Sequence, residues 1–255
     1  MNYNTAIILC GGKGTRLGQL GKKLPKTLIK IQGKPILWYI IKFLEKNSFN
    51  HFILPVGHKG KMIQRYFKSN IDFKKSKIDI IKTGVNSTIA QRIFKIKDKI
   101  KSKNFILLNG DAVFNFNIKK VFRNHKKKGI FTTFLGSEAQ LSYGIVGLSN
   151  GKVQSFKRDS NFYAVKLKNQ KNFMGYVYSG IAIIRTSLLK IKFKKFENFE
   201  KEFYPEIIKN FKSDFKSIDG FWHSVDNQKD LEFFKKSHNK SIYKSIVKLR
   251  KHLIK

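Results

Sequence analysis

The stretch Ala6-Ile7-Ile8-Leu9-Cys10-Gly11-Gly12-Lys13-Gly14-Thr15-Arg16-Leu17 decides the fold of this 255-residue chain. It begins with an apolar run over residues 5–10, which is typical of a buried strand. Three glycines in the next four positions let the backbone approach a ligand closely and turn N–H groups toward it. Arg16 and, further on, Lys26 add two fixed positive charges, which suit a polyphosphate. This order is typical of nucleotide sites in α/β sheets, and the alternative is a tight surface turn beside two solvated cations.

The loop matches neither of two common phosphate-binding patterns. Gly-x-Gly-x-x-Gly cannot be laid on residues 10–18, and no acidic residue follows near the end of a second strand in the expected place. These two points exclude the dinucleotide fingerprint. The Walker pattern Gly-x-x-x-x-Gly-Lys-Ser/Thr is absent from the sequence as well. If the loop binds phosphate, it therefore belongs to another class of phosphate site.

The loop resembles the signature of the sugar-phosphate nucleotidyltransferases, Gly-Gly-x-Gly-Thr-Arg-Leu followed by Pro-Lys, with eight residues between Arg16 and Pro25. The resemblance covers about residues 5–235 and is strongest to the glucose-1-phosphate cytidylyltransferases. Further matching segments are Gly33–Trp38, Gly57–Gly60, Thr83-Gly84, Gly110-Asp111, Gly151–Val153 and Asp219–Trp222. The resemblance implies a nucleotide-binding α/β fold. It also implies an enzyme that forms a nucleotide-sugar and pyrophosphate from a nucleoside triphosphate and a sugar 1-phosphate, for surface polysaccharide biosynthesis.

Strand and helix patterns alternate in the first half of the chain and change in the second. Up to residue 108 we predict strands at 5–10, 51–56, 78–81 and 105–108, helices at 36–44, 61–67 and 89–100, and a loop at 11–34. From about residue 130 we predict strands at 130–135, 144–148, 153–156 and 176–184, and helices at 203–211 and 229–236. The expected fold is α/β, a mostly parallel, doubly wound sheet (Rossmann-like, GT-A-type) with a mixed-sheet acceptor lobe.

The domain organisation follows from these patterns. Residues 1–235 are expected to form a single nucleotidyltransferase domain, with a nucleotide-binding half at 1–128 and an acceptor-binding half at 129–235. Residues 236–255 are expected to form a basic amphipathic helix, because Ile242, Ile246, Leu249 and Leu253 recur among lysines. This helix is expected to dock on the body or on another subunit in preference to a membrane surface.

Composition narrows the functional classes. The formal net charge is +37, but the lysines are spread over the whole chain, so the charge does not indicate specific nucleic-acid binding. One cysteine, Cys10, excludes an internal disulfide and a cysteine-based zinc site. No apolar run approaches the length of a membrane span, and no signal peptide is recognised, so the expected location is cytoplasmic.

The resemblance assigns roles on the nucleotide side of the site. Arg16 is expected to hold the β- and γ-phosphates, and Lys26 to contact the α-phosphate and the attacking sugar phosphate. Mg²⁺ is expected between Asp111 and Asp226, which each follow a predicted strand. The expected nucleotide-binding residues are Leu9, Gly11, Gly12, Gly14, Thr15, Thr83, Gln91, Arg92 and Gly110.

Some of these residues have structural alternatives. Asp111 stands in a Gly-Asp pair that is also ordinary at turns, and Asp226 lies where helix capping is an equal alternative. Gln91 can donate and accept hydrogen bonds, so it suits a pyrimidine edge, but a solvated helix residue is an equal alternative.

The acceptor side departs from the family pattern. The family's Glu-Lys-Pro corresponds to Arg158-Asp159-Ser160, and its Asn-Gly-Gly corresponds to Tyr178-Ser179-Gly180. The segment Phe199–Pro205 looks more like the heptose-phosphate enzymes of the family. The identity of the sugar therefore stays open. The expected acceptor-binding residues are Tyr143, Gly144, Arg158, Tyr178, Ser179 and Gly180.

Several functions remain to be compared. The leading hypothesis is an Mg²⁺-dependent cytidylyltransferase that uses CTP and a sugar 1-phosphate. The same reaction with GTP, UTP or dTTP is the alternative within the enzyme class. A homologue that binds nucleotide without turnover is a second class, and a basic nucleic-acid-binding protein is a third. The family is often oligomeric, so a homo-oligomer is an expected partner state.

Overall fold

The structure is a computed structural model and describes residues 3–73, 76–137, 139–140, 145–157, 161–162, 164–165, 175–191, 197–237 and 239–254. The helices are α1 (Gly18–Lys23), α2 (Ile36–Lys46), α3 (Gly60–Lys68), α4 (Ile89–Ile96), α5 (Ile118–Lys128), α6 (Tyr204–Asn210), α7 (Gln228–Glu232) and α8 (Lys240–Ile254). The strands of the first half are β1 (Thr5–Leu9), β2 (Lys30–Ile31), β3 (Lys34–Pro35), β4 (His51–Val56), β5 (Lys77–Lys82), β6 (Asn104–Asn109) and β7 (Ala112–Asn115). Those of the second half are β8 (Thr132–Ser137), β9 (Ala139–Gln140), β10 (Ile145–Ser149), β11 (Lys152–Lys157), β12 (Asn161–Phe162), β13 (Ala164–Val165), β14 (Gly175–Arg185), β15 (Ser213–Ser217) and β16 (Phe221–Ser224).

A central sheet organises these elements in the order β15-β8-β14-β6-β1-β4-β5, with β13 added beside β14. Strand β1 pairs in parallel with β4 and β6, and β4 pairs in parallel with β5. Strand β14 runs antiparallel between β6 and β8. The predicted α/β fold with a largely parallel sheet is confirmed, and β14 joins the second half of the chain to the sheet of the first.

The sheet is covered on both faces, because its strands alternate their side chains between two cores. In β1, Ala6 and Ile8 face the core that contains α2 and α8, while Ile7 faces the core that contains α4 and α6. All three side chains are fully buried. Burial of an isoleucine side chain contributes roughly 1.5–3 kcal/mol. This double coverage explains why the strand reads as a continuous apolar run.

The prediction of a loop over residues 11–34 is wrong, because the segment contains α1, the β2–β3 hairpin and two short 3₁₀ turns. Helix α1 has two glycines and two lysines among its six residues, so it carries no apolar period. Its position depends on Gly21, where a Cβ would lie 2.1 Å from the carbonyl oxygen of Gly14. Helix α1 therefore packs closely against the glycine-rich loop.

The C-terminal elements differ from the prediction as well, because strand β15 was not predicted and the helix predicted at 229–236 is shorter. Helix α7 ends at Glu232 instead of extending to Lys236, and Phe234 just beyond it is buried in the core. Helix α8 packs against α2 and buries Ile246, Leu249 and Leu253, so the basic terminal helix docks on the body of the protein. Within the described part of the chain, none of the helices combines the length and apolarity needed to cross a bilayer.

Two buried titratable side chains stabilise the fold without facing the cleft described below. His125 of α5 is hydrogen-bonded to Thr133 of β8 (2.9 Å from Nδ1 to Oγ1) and to Asn104 of β6 (3.2 Å from Nε2 to Oδ1). Desolvation lowers the pKa of His125 to about 4, so the imidazole is neutral. Cys10 lies in the core beyond β1, and burial raises the pKa of its thiol to about 12.

Candidate active site

A cleft of about 500 Å³ lies beyond the carboxyl ends of β1 and β6. This is the edge where open α/β sheets bind ligands. The cleft is lined by Leu9, Gly11, Gly12, Lys13, Gly14, Thr15, Arg16, Lys26, Ser87, Thr88, Ile89, Arg92, Asn109, Gly110, Asp111 and Asp226. The glycine-rich loop, its two predicted cations and the two predicted metal-binding carboxylates therefore face one common space.

The glycine-rich loop is fixed at both ends. Gly14 adopts a left-handed conformation with φ of 66°, which glycine takes without strain. Its carbonyl oxygen accepts a hydrogen bond from the Leu17 N–H at 3.1 Å, and the Leu17 side chain is fully buried. At the other end, the Gly11 carbonyl oxygen accepts a hydrogen bond from Arg92. The loop is therefore anchored by the buried Leu17 at one end and by Arg92 of α4 at the other.

Lys26 lies between the two carboxylates that the sequence predicts as metal ligands. Its Nζ donates to Asp111 Oδ2 at 2.8 Å and to Asp226 Oδ1 at 2.9 Å. The carboxylates come together because β7, just after Asp111, pairs with β16, just before Asp226. The Val225 N–H also donates to the Asp111 carbonyl oxygen at 2.8 Å. Residues that are distant in sequence thus form one compact charged cluster.

The electrostatics of this cluster keep Asp226 ionised. Burial by itself would raise the pKa of Asp226, but the hydrogen bond and the charge of Lys26 outweigh it and, with Arg16, lower the pKa. Arg16 NH1 lies 3.5 Å from Asp226 Oδ1, and the Arg16 side chain is 79% exposed. A cation so exposed is free to turn toward an anionic ligand in the cleft, whereas Lys26 is largely enclosed (18% exposed).

The two carboxylates fit a divalent cation. Mg²⁺ binds hard oxygen ligands and is held by one or two carboxylates together with substrate phosphates. Asp111 and Asp226 both reach the position that the Lys26 ammonium takes, so their oxygens converge on one cation. No cluster of three or more His, Cys, Asp or Glu side chains suited to a metal occurs among the residues that the structure describes. Two carboxylates alone leave coordination positions for phosphate oxygens.

Arg92 is a buried cation that reaches the cleft from α4. Its NH1 donates to Thr83 Oγ1 at 2.7 Å, and its NH2 donates to the carbonyl oxygens of Gly11 (3.2 Å) and Val85 (3.4 Å). Desolvation lowers the pKa of this guanidinium. No carboxylate pairs with Arg92 in the described part of the chain. Arg92 also belongs to the lining of the cleft, and a guanidinium group only donates hydrogen bonds.

Two predicted nucleotide-binding residues lie beside the cleft, not in its lining. Thr83 is fully buried, donates to the Val56 carbonyl oxygen at 3.0 Å and accepts from Arg92, so it holds the guanidinium in place. Gln91 is exposed and forms a capping box with Thr88 at the start of α4. Its Oε1 accepts from the Thr88 N–H at 3.0 Å. The structure thus gives both residues local structural partners.

The described acceptor residues lie on β14, next to the cleft. Tyr178 is hydrogen-bonded to Tyr204 through their hydroxyl groups, which are 2.9 Å apart. The Ser179 hydroxyl is buried and donates to the Leu135 carbonyl oxygen at 2.8 Å, so it is committed to the fold. Gly180 packs so closely on Asn109 that a Cβ would lie 2.5 Å from Nδ2. Tyr143, Gly144 and Arg158 lie outside the described residues.

The cleft also contains residues that sequence reasoning did not name as site residues. These are Lys13, Ser87, Thr88, Ile89 and Asn109. Lys13 and Asn109 each stand beside predicted site residues, so their positions in the motif and at the strand end would have identified them. Residues 87–89 precede α4, and only the fold shows that the start of this helix points into the cleft.

The fold and the site together define an α/β protein with a nucleotide-type cleft at the carboxyl edge of a mostly parallel sheet. The chain belongs to the nucleotidyl transferase family, whose model matches residues 5–235. It is 30% identical over 253 residues to a protein named probable glucose-1-phosphate cytidylyltransferase from Bacillus subtilis. That match covers 89% of this chain and 92% of the relative.

Two other similarities differ in the nucleotide that the relative is named for. The D-glycero-alpha-D-manno-heptose 1-phosphate guanylyltransferase of Aneurinibacillus thermoaerophilus is 32% identical over 218 residues, which cover 84% of this chain and 91% of the relative. The crystal structure of HddC from Yersinia pseudotuberculosis complexed with GMP-PN has a TM-score of 0.67 and 23% identity. It covers 93% of this chain and 99% of that one, and it supports the fold.

Proposed function

We propose that this chain transfers a nucleoside monophosphate, with CTP as the favoured donor, to a sugar 1-phosphate and releases pyrophosphate. The observation that carries the proposal is the position of Lys26 between Asp111 and Asp226, in the same cleft as Arg16 and the glycine-rich loop. This cluster combines cations for phosphate oxygens with carboxylates for a divalent cation. The nucleotide-sugar would serve the synthesis of a surface polysaccharide.

The reaction needs alignment and charge stabilisation more than it needs proton transfer. An oxygen of the sugar phosphate forms a bond to the α-phosphorus, and the bond from the α-phosphorus to the leaving pyrophosphate oxygen breaks. The attacking phosphate is already an anion, so no general base is required. The site must hold two anions that repel each other and stabilise the charge that develops on the leaving group.

The residues of the cleft divide this task. Arg16, whose side chain is exposed at the cleft, would bind the β- and γ-phosphates, and Lys26 would contact the α-phosphate and the attacking phosphate. Asp111 and Asp226 would hold Mg²⁺, which supplies charge neutralisation at the phosphates when it is bound. The backbone at Gly11, Gly12 and Gly14 would lie along the nucleotide. These assignments agree with the exposures of the two cations, 79% for Arg16 and 18% for Lys26.

Arg92 supports CTP over UTP and dTTP. A guanidinium only donates hydrogen bonds. Cytosine presents two neighbouring acceptors, N3 and O2, whereas uracil and thymine present an N3–H donor that has no acceptor on Arg92. Guanine also presents neighbouring acceptors, O6 and N7. The guanylyltransferase relative of similar identity therefore makes GTP the second candidate donor.

The test is pyrophosphate release with Mg²⁺ across CTP, GTP, UTP and dTTP, each combined with a panel of hexose and heptose 1-phosphates. Release with CTP and one sugar phosphate is expected. Release with GTP alone would overturn the base assignment and retain the reaction. Thermal shift with each nucleotide separates the remaining outcomes: binding of CTP without turnover indicates a non-catalytic homologue, and no binding of any nucleotide contradicts the proposal.

A further inference from the structure

The turn Gly57-His58-Lys59-Gly60 joins β4 to α3, and none of its four residues lines the cleft. The Gly60 N–H donates to the Gly57 carbonyl oxygen at 3.2 Å and closes the turn. Lys59 adopts a left-handed conformation with φ of 56°, which lysine rarely takes. A strained residue persists only where surrounding contacts hold it in place, so the contacts of this turn indicate its role.

The Lys59 side chain caps the carboxyl end of α1. Its Nζ donates to the carbonyl oxygens of Gly21 at 2.5 Å and of Lys22 at 2.6 Å. These carbonyls stand in the last turn of α1, where a helix offers them no N–H partner of its own. The ammonium group also lies at the negative end of the helix dipole. Lys59 therefore ties α1 to the turn after β4.

Helix α1 has little apolar packing to hold it. Gly21 is its buried residue, and its other residues are partly or fully exposed. A cavity of about 670 Å³ is lined by residues of the glycine-rich loop, of α1 and of the turn, among them Lys13, Gly21 and Lys59. The bonds of Lys59 join α1 to the turn beside this cavity, where packed apolar side chains would otherwise have to do so.

The position of α1 determines that of the glycine-rich loop. Gly21 packs so closely on the loop that a Cβ there would lie 2.1 Å from the Gly14 carbonyl oxygen. A Cβ at Gly14 would in turn lie 3.9 Å from the Lys26 Cβ. Closely packed backbone atoms cannot move independently. A displacement of α1 would therefore displace Gly14 and the start of the stretch that carries Arg16.

The same turn contacts Arg92 through Gly57. A Cβ at Gly57 would lie 2.6 Å from Arg92 NH1 and 2.7 Å from the Gly84 carbonyl oxygen, so the guanidinium rests against the backbone of the turn. Arg92 is the cation that the proposed function assigns to the base, and the glycine-rich loop is the element that it assigns to the phosphates. The turn therefore touches the base part of the site through Gly57 and the phosphate part through Lys59.

We propose that Lys59 is a positioning residue that fixes the distance between Arg92 and the glycine-rich loop, so that one nucleotide contacts both at once. This inference rests on the proposed function, because it takes the ligand of both parts to be a nucleotide. Direct contact of Lys59 with a phosphate is the competing role. It is disfavoured because two carbonyl oxygens already engage the ammonium group and Lys59 lies outside the lining of the cleft.

The test compares wild type with Lys59→Met and with Lys61→Met, an exposed lysine of α3, as the matched control. Methionine keeps the length of the lysine side chain but has no N–H donor. In calorimetric titrations with Mg²⁺, Lys59→Met should raise the Kd for CTP about tenfold, the scale of a hydrogen bond to a charged group. Inorganic tripolyphosphate needs only the phosphate part of the site, so its Kd should change less than about threefold.

Kinetics distinguish positioning from general damage to the protein. In pyrophosphate release, Lys59→Met should raise the KM for the nucleotide about tenfold and leave the KM for the sugar 1-phosphate within about twofold of wild type. Lys59→Arg keeps N–H donors on a side chain of different shape and should show the same pattern at a smaller size. Equal losses of CTP and tripolyphosphate binding would assign Lys59 to phosphate contact and overturn the inference, as would equal losses in Lys59→Met and Lys61→Met.

Hydrogen exchange without nucleotide separates a failure of this inference from a failure of the proposed function. The amides of residues 17–24 should exchange about tenfold faster in Lys59→Met than in wild type, because the end of α1 loses its cap, while those of β1 keep their rates. Lys61→Met should match wild type throughout. Unchanged exchange at residues 17–24 in Lys59→Met overturns the inference alone. Absence of CTP and GTP binding to wild type contradicts the proposed function.

Discussion

The nucleotide side and the acceptor side of the cleft are built in different ways. On the nucleotide side, residues 11–16 line the cleft as one contiguous stretch, and Lys26 follows ten residues after Arg16, beyond the short helix α1. On the acceptor side, Tyr178 of β14 and Tyr204 of α6 come together only through the fold. A local motif therefore supplies most of the nucleotide side of the cleft, whereas the proposed acceptor side is assembled by packing between distant segments.

The largest loss of activity is expected for substitution of Lys26, on the nucleotide side of the cleft. Lys26→Ala removes the cation that both carboxylates share, so kcat/KM should fall about 10²- to 10³-fold, the scale of one lost electrostatic stabiliser. The measurement is pyrophosphate release with the best pair of substrates. Lys30→Ala, an exposed lysine on β2, is the control and should retain wild-type activity. Full activity of the Lys26→Ala protein would contradict the proposal that this cluster stabilises the reacting phosphates.

A smaller effect is expected on stability, because the nucleotide and acceptor halves of the chain should unfold as one cooperative unit. His125 bonds to β6 of the first half and to β8 of the second, and its pKa is about 4 in the folded protein against about 6.5 in the unfolded chain. The unfolded state therefore binds more protons between these values. Stability should fall as pH decreases from about 6.5 to about 4, by up to about 3 kcal/mol from this residue.

Urea unfolding at several pH values in this window checks the prediction. His125→Gln should show a shallower loss of unfolding free energy than wild type, while His252→Gln, which changes an exposed histidine of α8, should follow the wild-type curve. A single transition is expected for both halves. Two separate transitions would contradict the prediction that the two halves unfold as one unit. Identical pH dependence of the unfolding free energy in wild type and His125→Gln would contradict the role of His125.

The smallest effect is expected at Arg92, within the nucleotide side itself. Arg92→Lys keeps a positive charge but loses the fork that holds Thr83 and Gly11. The ratio of kcat/KM for CTP to that for UTP should fall about tenfold, with activity retained. Arg65→Lys on the exposed side of α3 provides the same chemical change away from the cleft. An unchanged ratio would show that base selection lies elsewhere.

Much of the fold was predictable because the determining signals are local. The continuous apolar run predicts β1, and the spacing of isoleucines along one face predicts α4. The closely spaced glycines predict the loop that follows β1. Helix α1 was missed because it lacks an apolar period and depends on Gly21 packing against Gly14. Helix α7 ends earlier than predicted, and Phe234 just beyond its end is buried in the core, a tertiary contact that the local sequence pattern does not contain.

Some residues of the candidate site could likewise be predicted from local sequence, and others could not. Arg16 and Lys26 could be found from their spacing after the glycines, and Asp111 and Asp226 from their positions after strands. The sequence did not show that Thr83 and Gln91 support α4 and Arg92 beside the cleft, because that depends on how the loop after β5 folds back. The contact between Tyr178 and Tyr204 could not be found either, since it joins two segments that are distant in the sequence.

The burial of Cys10 has a practical consequence. The chain has one cysteine, and a thiol with a pKa of about 12 in the core is almost entirely protonated and out of reach of alkylating reagents at neutral pH. A cysteine introduced by Lys13→Cys, on the exposed rim of the glycine-rich loop, would then be the single labelling position. A fluorophore attached there, at the rim of the cleft, would report nucleotide binding in solution as a change in its emission.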